Sequence, residues 1–322
     1  TFQSVANGSF SFNYTATGQQ TKVVASDAAA NDNFGNAVAF SGDTIVVGAS
    51  GDDFGAVSNQ GSAYVFTRSG SGWTFQQKLS ASDALANDYF GASVSISGDT
   101  IVIGAFSDDI GANTNQGSAY VFTRSNGVWT QQAKLTANNG IGYNSFGTSV
   151  AISGDTIAVT SPGDLNWGGF ANSIYIFTRE GIVWTQQQQL VISGSSGNAE
   201  FNAPTSLSLS GSILAIGLSN YRNGPYYTGA VAIFTLTGST WSEQTKLFNS
   251  DIAGYTYFGN SVSLSGNTLA VGASNKDEPG QTDQGAVYIF TTNGSTWTQQ
   301  AKILAADGLA GDYFGASVSL LG

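Results

Sequence analysis

The chain has 322 residues, 41% of them hydrophobic and only 10% charged, with a formal net charge of −11 from 21 acidic and 10 basic residues. Lacking the Lys/Arg stripes that release counterions from a phosphate backbone, it is a poor partner for nucleic acid or an anionic membrane. It has no cysteine and no histidine, which excludes disulfides, the serine triad, the cysteine dyad and the usual zinc sites, and leaves carboxylate chemistry open.

Methionine is absent too, so the chain reads as a mature or processed piece. Its apolar runs are strand-length, far short of a membrane span, and the composition fits an extracellular β-protein. At the N-terminus "FQSVA", an Asn7-Gly8 turn, "SFSFNYT" and "QQTKVV" read as three strands. From Phe34 onward the chain repeats itself about every 56 residues. Phe-Gly falls at 34–35, 90–91, 146–147, 258–259 and 314–315, with Phe201-Asn202 in the fourth position. Trp recurs at 73, 129, 184, 241 and 297. Gly-Ala falls at 48–49, 104–105 and 272–273, and becomes Thr160-Ser161 and Gly217-Leu218 between them.

Each unit reads as four strands, A to D. In the second unit, strand A is "FGASVSIS", with large and small residues alternating at the period of a strand. A "SGDT" turn leads to strand B, "TIVIGA", which is apolar on both faces. A longer polar loop precedes strand C, "GSAYVFTR", and the "SNGV" turn leads to strand D, "WTQQAKL". There Trp129, Ala133 and Leu135 are expected inside, with Thr130, Gln132 and Lys134 in solvent. Four antiparallel strands repeated radially make a β-propeller, an all-β fold that protects its sheet edges. The expectation is one domain over residues 1–322: five complete blades, and a sixth shared between the N-terminal strands and a last strand A at 314–322. Seven blades follow if the chain is a fragment.

The strand A and B pair "FGASVSISGDTIVIGA", followed by "GSAYVF", resembles the FG-GAP repeat family, which includes integrin α-subunit heads and many bacterial surface proteins. The resemblance runs from about residue 25 to Gly322. It implies a propeller and an extracellular or cell-surface recognition or adhesion module. Integrin-type calcium loops do not carry over. The A–B turns, such as Ser97-Gly98-Asp99-Thr100, are too short and offer one carboxylate where calcium needs six to eight oxygens. Asp43, Asp99 and Asp155 are instead expected to shape turns.

The A–B and C–D turns are short and uniform, so function is expected on the opposite face, built from the longer B–C and D–A loops. Acidic groups recur there: Asp52 and Asp53, Asp108 and Asp109, Asp277 and Glu278 with Asp283. Asp27 and Asp32, Asp83 and Asp88, and Asp307 and Asp312 add to them from the D–A loops. Such carboxylates suit turn capping, calcium binding or, more distantly, glycoside hydrolysis. No cofactor is required, and calcium is the cation these groups would take. In the third and fourth units the B–C loops become "SPGDLNWGGFANS" and "LSNYRNGPYYTG". They bring Trp167, Phe170, Tyr221, Arg222, Tyr226 and Tyr227 to neighbouring blades, as a sugar platform or protein hot spot would require, or as packing within long loops. The leading expectation is a non-enzymatic recognition module that binds a protein or glycan. The alternative is a building block that assembles with other copies of itself into a surface filament, layer or matrix. A carboxylate-based polysaccharide-active enzyme is a distant third.

Overall fold

A computed structural model describes residues 4–5, 9–10, 22–70, 72–163, 173–193, 205–223, 226–251 and 254–320. Ser4–Val5 (β1) and Ser9–Phe10 (β2) pair antiparallel, and the expected Asn7-Gly8 turn lies outside the described residues. Residues 22–24 of the expected strand "QQTKVV" join no sheet, and the rest of the N-terminal strand assignments lie outside the described residues.

The first blade comprises Phe34–Ser41 (β3), Thr44–Ala49 (β4), Ser62–Ser69 (β5) and Gly72–Leu79 (β6). The second has Ser93–Ser97 (β7), Thr100–Ala105 (β8), Ser118–Ser125 (β9) and Val128–Leu135 (β10). The third has Val150–Ser153 (β11), Thr156–Ser161 (β12), Ser173–Glu180 (β13) and Val183–Val191 (β14). In the fourth, Ser206–Ser210 (β15) and Ile213–Leu218 (β16) are followed by a small ladder, Arg222–Asn223 (β17) with Tyr226–Tyr227 (β18). Ala230–Thr237 (β19) and Thr240–Leu247 (β20) complete it. The fifth has Phe258–Ser265 (β21), Thr268–Ala273 (β22), Ala286–Thr292 (β23) and Trp297–Ile303 (β24). Each blade is an antiparallel meander in the order A-B-C-D.

Five four-stranded blades among the described residues correct the expectation of six, or of seven. The reason lies in the sixth phase. Residues 314–320 follow the strand A pattern, and the Leu320 amide donates to Ser263 Oγ (2.9 Å). They pair with no strand B in the described chain and join no sheet. The inner segments nonetheless surround one axial channel of about 440 Å³, lined by Phe40, Ile96, Ile152, Leu209, Leu264 and Leu320.

Strand B is the blade's centre: β8 is buried at every residue, as its two apolar faces require. The core lies between blades. One cluster joins Val46, Ala63, Val65, Leu79 and Ala81 of the first unit to Ile101, Ile103, Tyr120 and Trp129 of the second. Each fully buried Ile or Leu there contributes about 1.5–3 kcal/mol.

The two short motifs of the repeat are the two sides of one contact. A Cβ on Gly104 would overlap the carbonyl oxygen of Gly147 in the next blade, and Gly48, Gly217 and Gly272 stand in the same relation to Gly91, Gly259 and Gly315. Gly147 has φ +95°, the left-handed region that disfavours a side chain. The third blade departs: Thr160 is fully buried, and its hydroxyl accepts the Ser149 amide at 2.8 Å.

Strand D does not keep simple alternation, because a bulge interrupts the β9–β10 register between Gln131 and Ala133. Trp129 and Leu135 are buried as expected. Gln132 and Lys134 are not left to solvent: Gln132 accepts the Trp184 indole N–H at 2.8 Å, and Lys134 turns inward to carboxylates.

Candidate functional site

The B–C loops of the first, second, fourth and fifth blades are each joined to the following D–A loop by backbone hydrogen bonds. Asn87 donates to Ser58, Tyr143 to Thr114 and Gly311 to Thr282. Phe90, Phe146, Phe258 and Phe314 each bridge in parallel to the glycine that ends the neighbouring B–C loop. These loops therefore form one connected face. The opposite face is held by Arg-Asp-Trp clusters. Arg124 pairs with Asp99 at 2.6 Å, donates to Thr44 of the preceding blade at 3.0 Å and lies 5.0 Å over the Trp129 ring. Arg179, Asp155, Thr100 and Trp184 repeat the arrangement, and Arg68 pairs with Asp43. The turn aspartates thus anchor arginines as well as shaping turns.

On the loop face the acidic pairs separate into two kinds. The first member is buried and faces an ammonium group. Asp108, 3% exposed, lies 2.7 Å from Lys134 Nζ, 2.5 Å from Ser118 Oγ and 2.9 Å from the Tyr120 hydroxyl. Lys134 is also 2.7 Å from Asp83. Asp52, Ser62, Lys78, Asp27 and Tyr64 form the same cluster in the first blade. The second member caps its loop: Asp53 and Asp109 accept the amides of Asn59 and Asn115 at 2.7 Å, and Asp277, at the same repeat position, accepts that of Asp283 at 2.8 Å. The fifth blade rewires the cluster. Lys276 stands where Asp52 and Asp108 stand, and Glu278 with Asp251 supplies the carboxylates to Lys302. The Asp283 side chain accepts from Asn275 at 3.0 Å. Among the described residues no group of three or more acidic side chains is arranged to hold a metal ion.

The electrostatics follow from this pairing. Burial opposes the ionised form of Asp83, but hydrogen bonds from Lys134 and Tyr120 outweigh it and hold the carboxyl below its usual range. Burial likewise works against the Lys134 ammonium, which Asp108 and Asp83 restore and raise. Burial pushes the Tyr64 phenol up to about 12, and Tyr120 further in the same direction. Asp88 differs, because it has no lysine of its own. Burial lifts it to about 6, against the one hydrogen bond it accepts from the Leu85 amide at 2.6 Å.

The ionic cluster disappears in the third blade. Asn139 and Gln189 take the places of the aspartate and lysine, and the Tyr175 hydroxyl donates to Asn139 at 3.0 Å. In the fourth, Lys246 pairs with Glu243 and lies 5.8 Å over the Tyr221 ring. The aromatic loops occur in these same blades. Trp167 and Phe170 lie outside the described residues. Tyr221 turns inward, packing on the core and on Phe248 at 5.9 Å. Tyr226 is in the small β17–β18 ladder. Arg222 is exposed, with its guanidinium 5.8 Å from the Tyr227 ring centre, and Tyr227 stacks on Tyr255 at 5.6 Å and 21°. Tyr255, on the D–A loop before the fifth blade, is 62% exposed. Tyr257 and Tyr143 expose their rings on the same face.

Sequence reasoning missed Tyr143, Tyr255 and Tyr257. A signal was present: the position held by Asn31 and Asn87 in the first two units becomes Tyr143 in the next and Tyr255 before the last. Tyr257 has φ +50°, an uncommon conformation for a bulky residue.

Comparison with known proteins adds the following. The family described as "FG-GAP repeat" matches residues 17–66, 73–122, 129–177, 241–290 and 297–322, more than half of the chain. The stretch passed over, 178–240, includes the fourth blade's altered loop. The periplasmic gluconolactonase PpgL of Pseudomonas aeruginosa is similar in structure, with a TM-score of 0.50 and 12% identity over 84% of this chain and 72% of that one. Saccharomyces cerevisiae Sqt1 gives a TM-score of 0.44 and 12% identity over 87% and 77%. No curated protein matches the chain in sequence. At 12% identity the likeness to the lactonase is one of fold. It still corrects the expectation of a non-enzymatic chain, since an enzyme is built on this scaffold and the fold does not exclude catalysis.

Proposed function

This chain belongs to the FG-GAP repeat family, and on that premise we propose that it works outside the cell or at its surface as a recognition and adhesion module, binding a protein or glycan through the B–C/D–A face. The contact centre is the stack of Arg222, Tyr227 and Tyr255, of which Arg222 and Tyr255 are exposed and Tyr227 half-buried. One observation supports this reading above others: beside the fourth blade, which lacks the regular Lys-Asp-Tyr cluster, Arg222 lies over the Tyr227 ring and Tyr227 stacks on the exposed Tyr255. Stacked tyrosines offer a large apolar surface with little rotamer entropy to lose, and an adjacent guanidinium fixes orientation. The low charge fraction suits an extracellular setting.

The test is binding of the purified chain to immobilised glycans and to extracellular-matrix and surface proteins, with Tyr255→Ala and Arg222→Ala beside the parent. A ligand lost in both variants, at unchanged melting temperature, supports the face. A ligand retained by both variants overturns the assignment of this stack.

A further inference from the structure

Backbone conformation in the loops singles out four side chains. Among the described residues, the side chains carried at positive φ are those of Asn, Asp and Ser, which tolerate it, and of Tyr89, Tyr143, Tyr257 and Tyr313, at φ +50° to +63°. All four tyrosines lie in D–A loops. The backbone does not ask for them. Asn33 holds φ +56° at the phase of Tyr89, Tyr257 and Tyr313, and Asn31 and Asn87 hold +73° and +67° at that of Tyr143. A bulky residue held where asparagine sits with less strain points to a use for its ring.

The rings are accessible. Tyr143, Tyr257 and Tyr313 are 38%, 37% and 46% exposed, and Tyr89 is half-buried, stacked on Phe106 at 5.4 Å and 7°. One such tyrosine falls in the loop before the second, the third and the fifth blade, and one in the loop before residues 314–320. With the stacked Tyr227 and Tyr255 they form an arc along the loop face, spread from blade to blade, whereas a protein hot spot gathers its aromatic groups at one centre. Exposed carboxylates share the face, among them Asp53, Asp109, Asp277 and Asp312, and they disfavour a polyanion. A contact that recurs from unit to unit fits a ligand that itself repeats. A tyrosine offers a pyranose both a stacking face and a hydrogen-bonding tip.

We propose that the D–A tyrosines are subsites for one linear, neutral polysaccharide laid across several blades, with Tyr257 and Tyr313 extending the Tyr227–Tyr255 stack on one side and Tyr143 on the other. This rests on the recognition face proposed above and adds the class and the length of its ligand. Each subsite makes a weak stacking contact. Once one is engaged, the next contact along the same polymer is intramolecular, so affinity grows with chain length. Replacing one of these tyrosines by Asn relieves the backbone and removes a subsite, which separates its binding role from a structural one.

The experiment measures retardation of the purified chain in native gels containing hydroxyethylcellulose, galactomannan or xyloglucan. Calorimetry then reads binding of the disaccharide unit of whichever polymer retards it. Tyr257→Asn, Tyr313→Asn and the double variant are compared with the parent. The expected result is retardation by at least one polymer, no measurable binding of its disaccharide, and affinity for the polymer lower by roughly two- to tenfold per substitution. The melting temperature is expected to equal or exceed the parent's. Retardation by none of the three polymers, equal affinity for disaccharide and polymer, or full retention by the double variant overturns the proposal. A lowered melting temperature also overturns it, because the tyrosines are then structural. The recognition stack fails separately. A polymer kept by Tyr255→Ala and Arg222→Ala but lost in the double variant removes the stack and leaves the arc. A protein ligand lost in Tyr255→Ala and Arg222→Ala, with no polymer bound, leaves the face and removes the arc.

Discussion

Lys134 Nζ and the Asp108 carboxylate sit 2.7 Å apart, and the carboxylate side chain is only 4% exposed. Removing the ammonium strands that charge in the protein interior, which costs about 3–5 kcal/mol. Lys134→Met is therefore expected to lower the unfolding free energy by that amount in urea titration. Replacing both partners, Lys134→Met with Asp108→Asn, is expected to recover more than half of the loss. Equal losses in the single and double variants would show that the pair is not coupled.

Asp88 makes stability depend on pH in the opposite sense to the paired aspartates. Its folded pKa of about 6 lies above the ordinary carboxylate value. The folded state therefore binds more protons than the unfolded one between about pH 4 and 6, and stability falls as pH rises through that window. The full penalty, at most about 3 kcal/mol, is present above it. Asp27, Asp83 and Asp251 are held below their usual range. Their stabilisation is present above about pH 4 and is lost on further acidification. Asp88→Asn, which retains the acceptor for the Leu85 amide, is expected to flatten the pH 4–6 slope and leave the acid limb intact. An unchanged slope would place the titration elsewhere.

Asn249 occupies a buried site that Ala81 and Ala137 fill in the first two repeats, and its Oδ1 atom has no hydrogen-bond partner. An unsatisfied buried acceptor costs about 1–3 kcal/mol. Asn249→Ala is expected to raise the melting temperature by a few degrees, as scanning calorimetry would show. A fall of similar size would mean that the Asn249 amide donor, 3.4 Å from Asp251, contributes more than the orphaned oxygen costs.

Gly104 and Gly42 separate close approach from turn conformation. Gly104→Ala drives a methyl group into the Gly147 carbonyl, whereas Gly42, at φ +56° in an A–B turn, has open space around its Cβ direction. Gly104→Ala is expected to cost more than 3 kcal/mol or abolish folding, since blade must separate from blade. Gly42→Ala is expected to cost about 1 kcal/mol, the usual penalty for the left-handed region. Similar losses by chemical denaturation would contradict the tight junction.

The propeller was legible because most units restate their turns and their Phe-Gly and Gly-Ala pairs at a fixed spacing, and the contact between Gly104 and Gly147 shows why both pairs recur. The number of blades was not. A strand becomes part of a sheet only through a partner's hydrogen bonds, and residues 314–320 carry the inner-strand pattern without that partner among the described residues. The inward turn of Lys134 was hidden by the bulge at Gln131–Ala133, which breaks the parity on which a two-residue alternation relies. The acidic pairs were visible as pairs, yet their division into buried ion-pair members and loop caps depends on lysines some 26 residues downstream in the chain. Of the aromatic residues anticipated, Tyr221 points inward, while Tyr255 contributes from a D–A loop that sequence reading treated only as a source of carboxylates.

Thr160 also makes one junction of the ring unlike the others. Four junctions share one geometry, in which a glycine of strand B accepts the backbone of the next unit's Phe-Gly pair. In a chain of near copies, units that fit equally well in several places are a folding hazard. Thr160 fills the corresponding space in the third unit, so a follower with the usual close approach does not fit there. The unit that does follow opens with Phe201-Asn202 instead of Phe-Gly. One irregular junction thus leaves the ring without the full symmetry that its near-identical units would otherwise have.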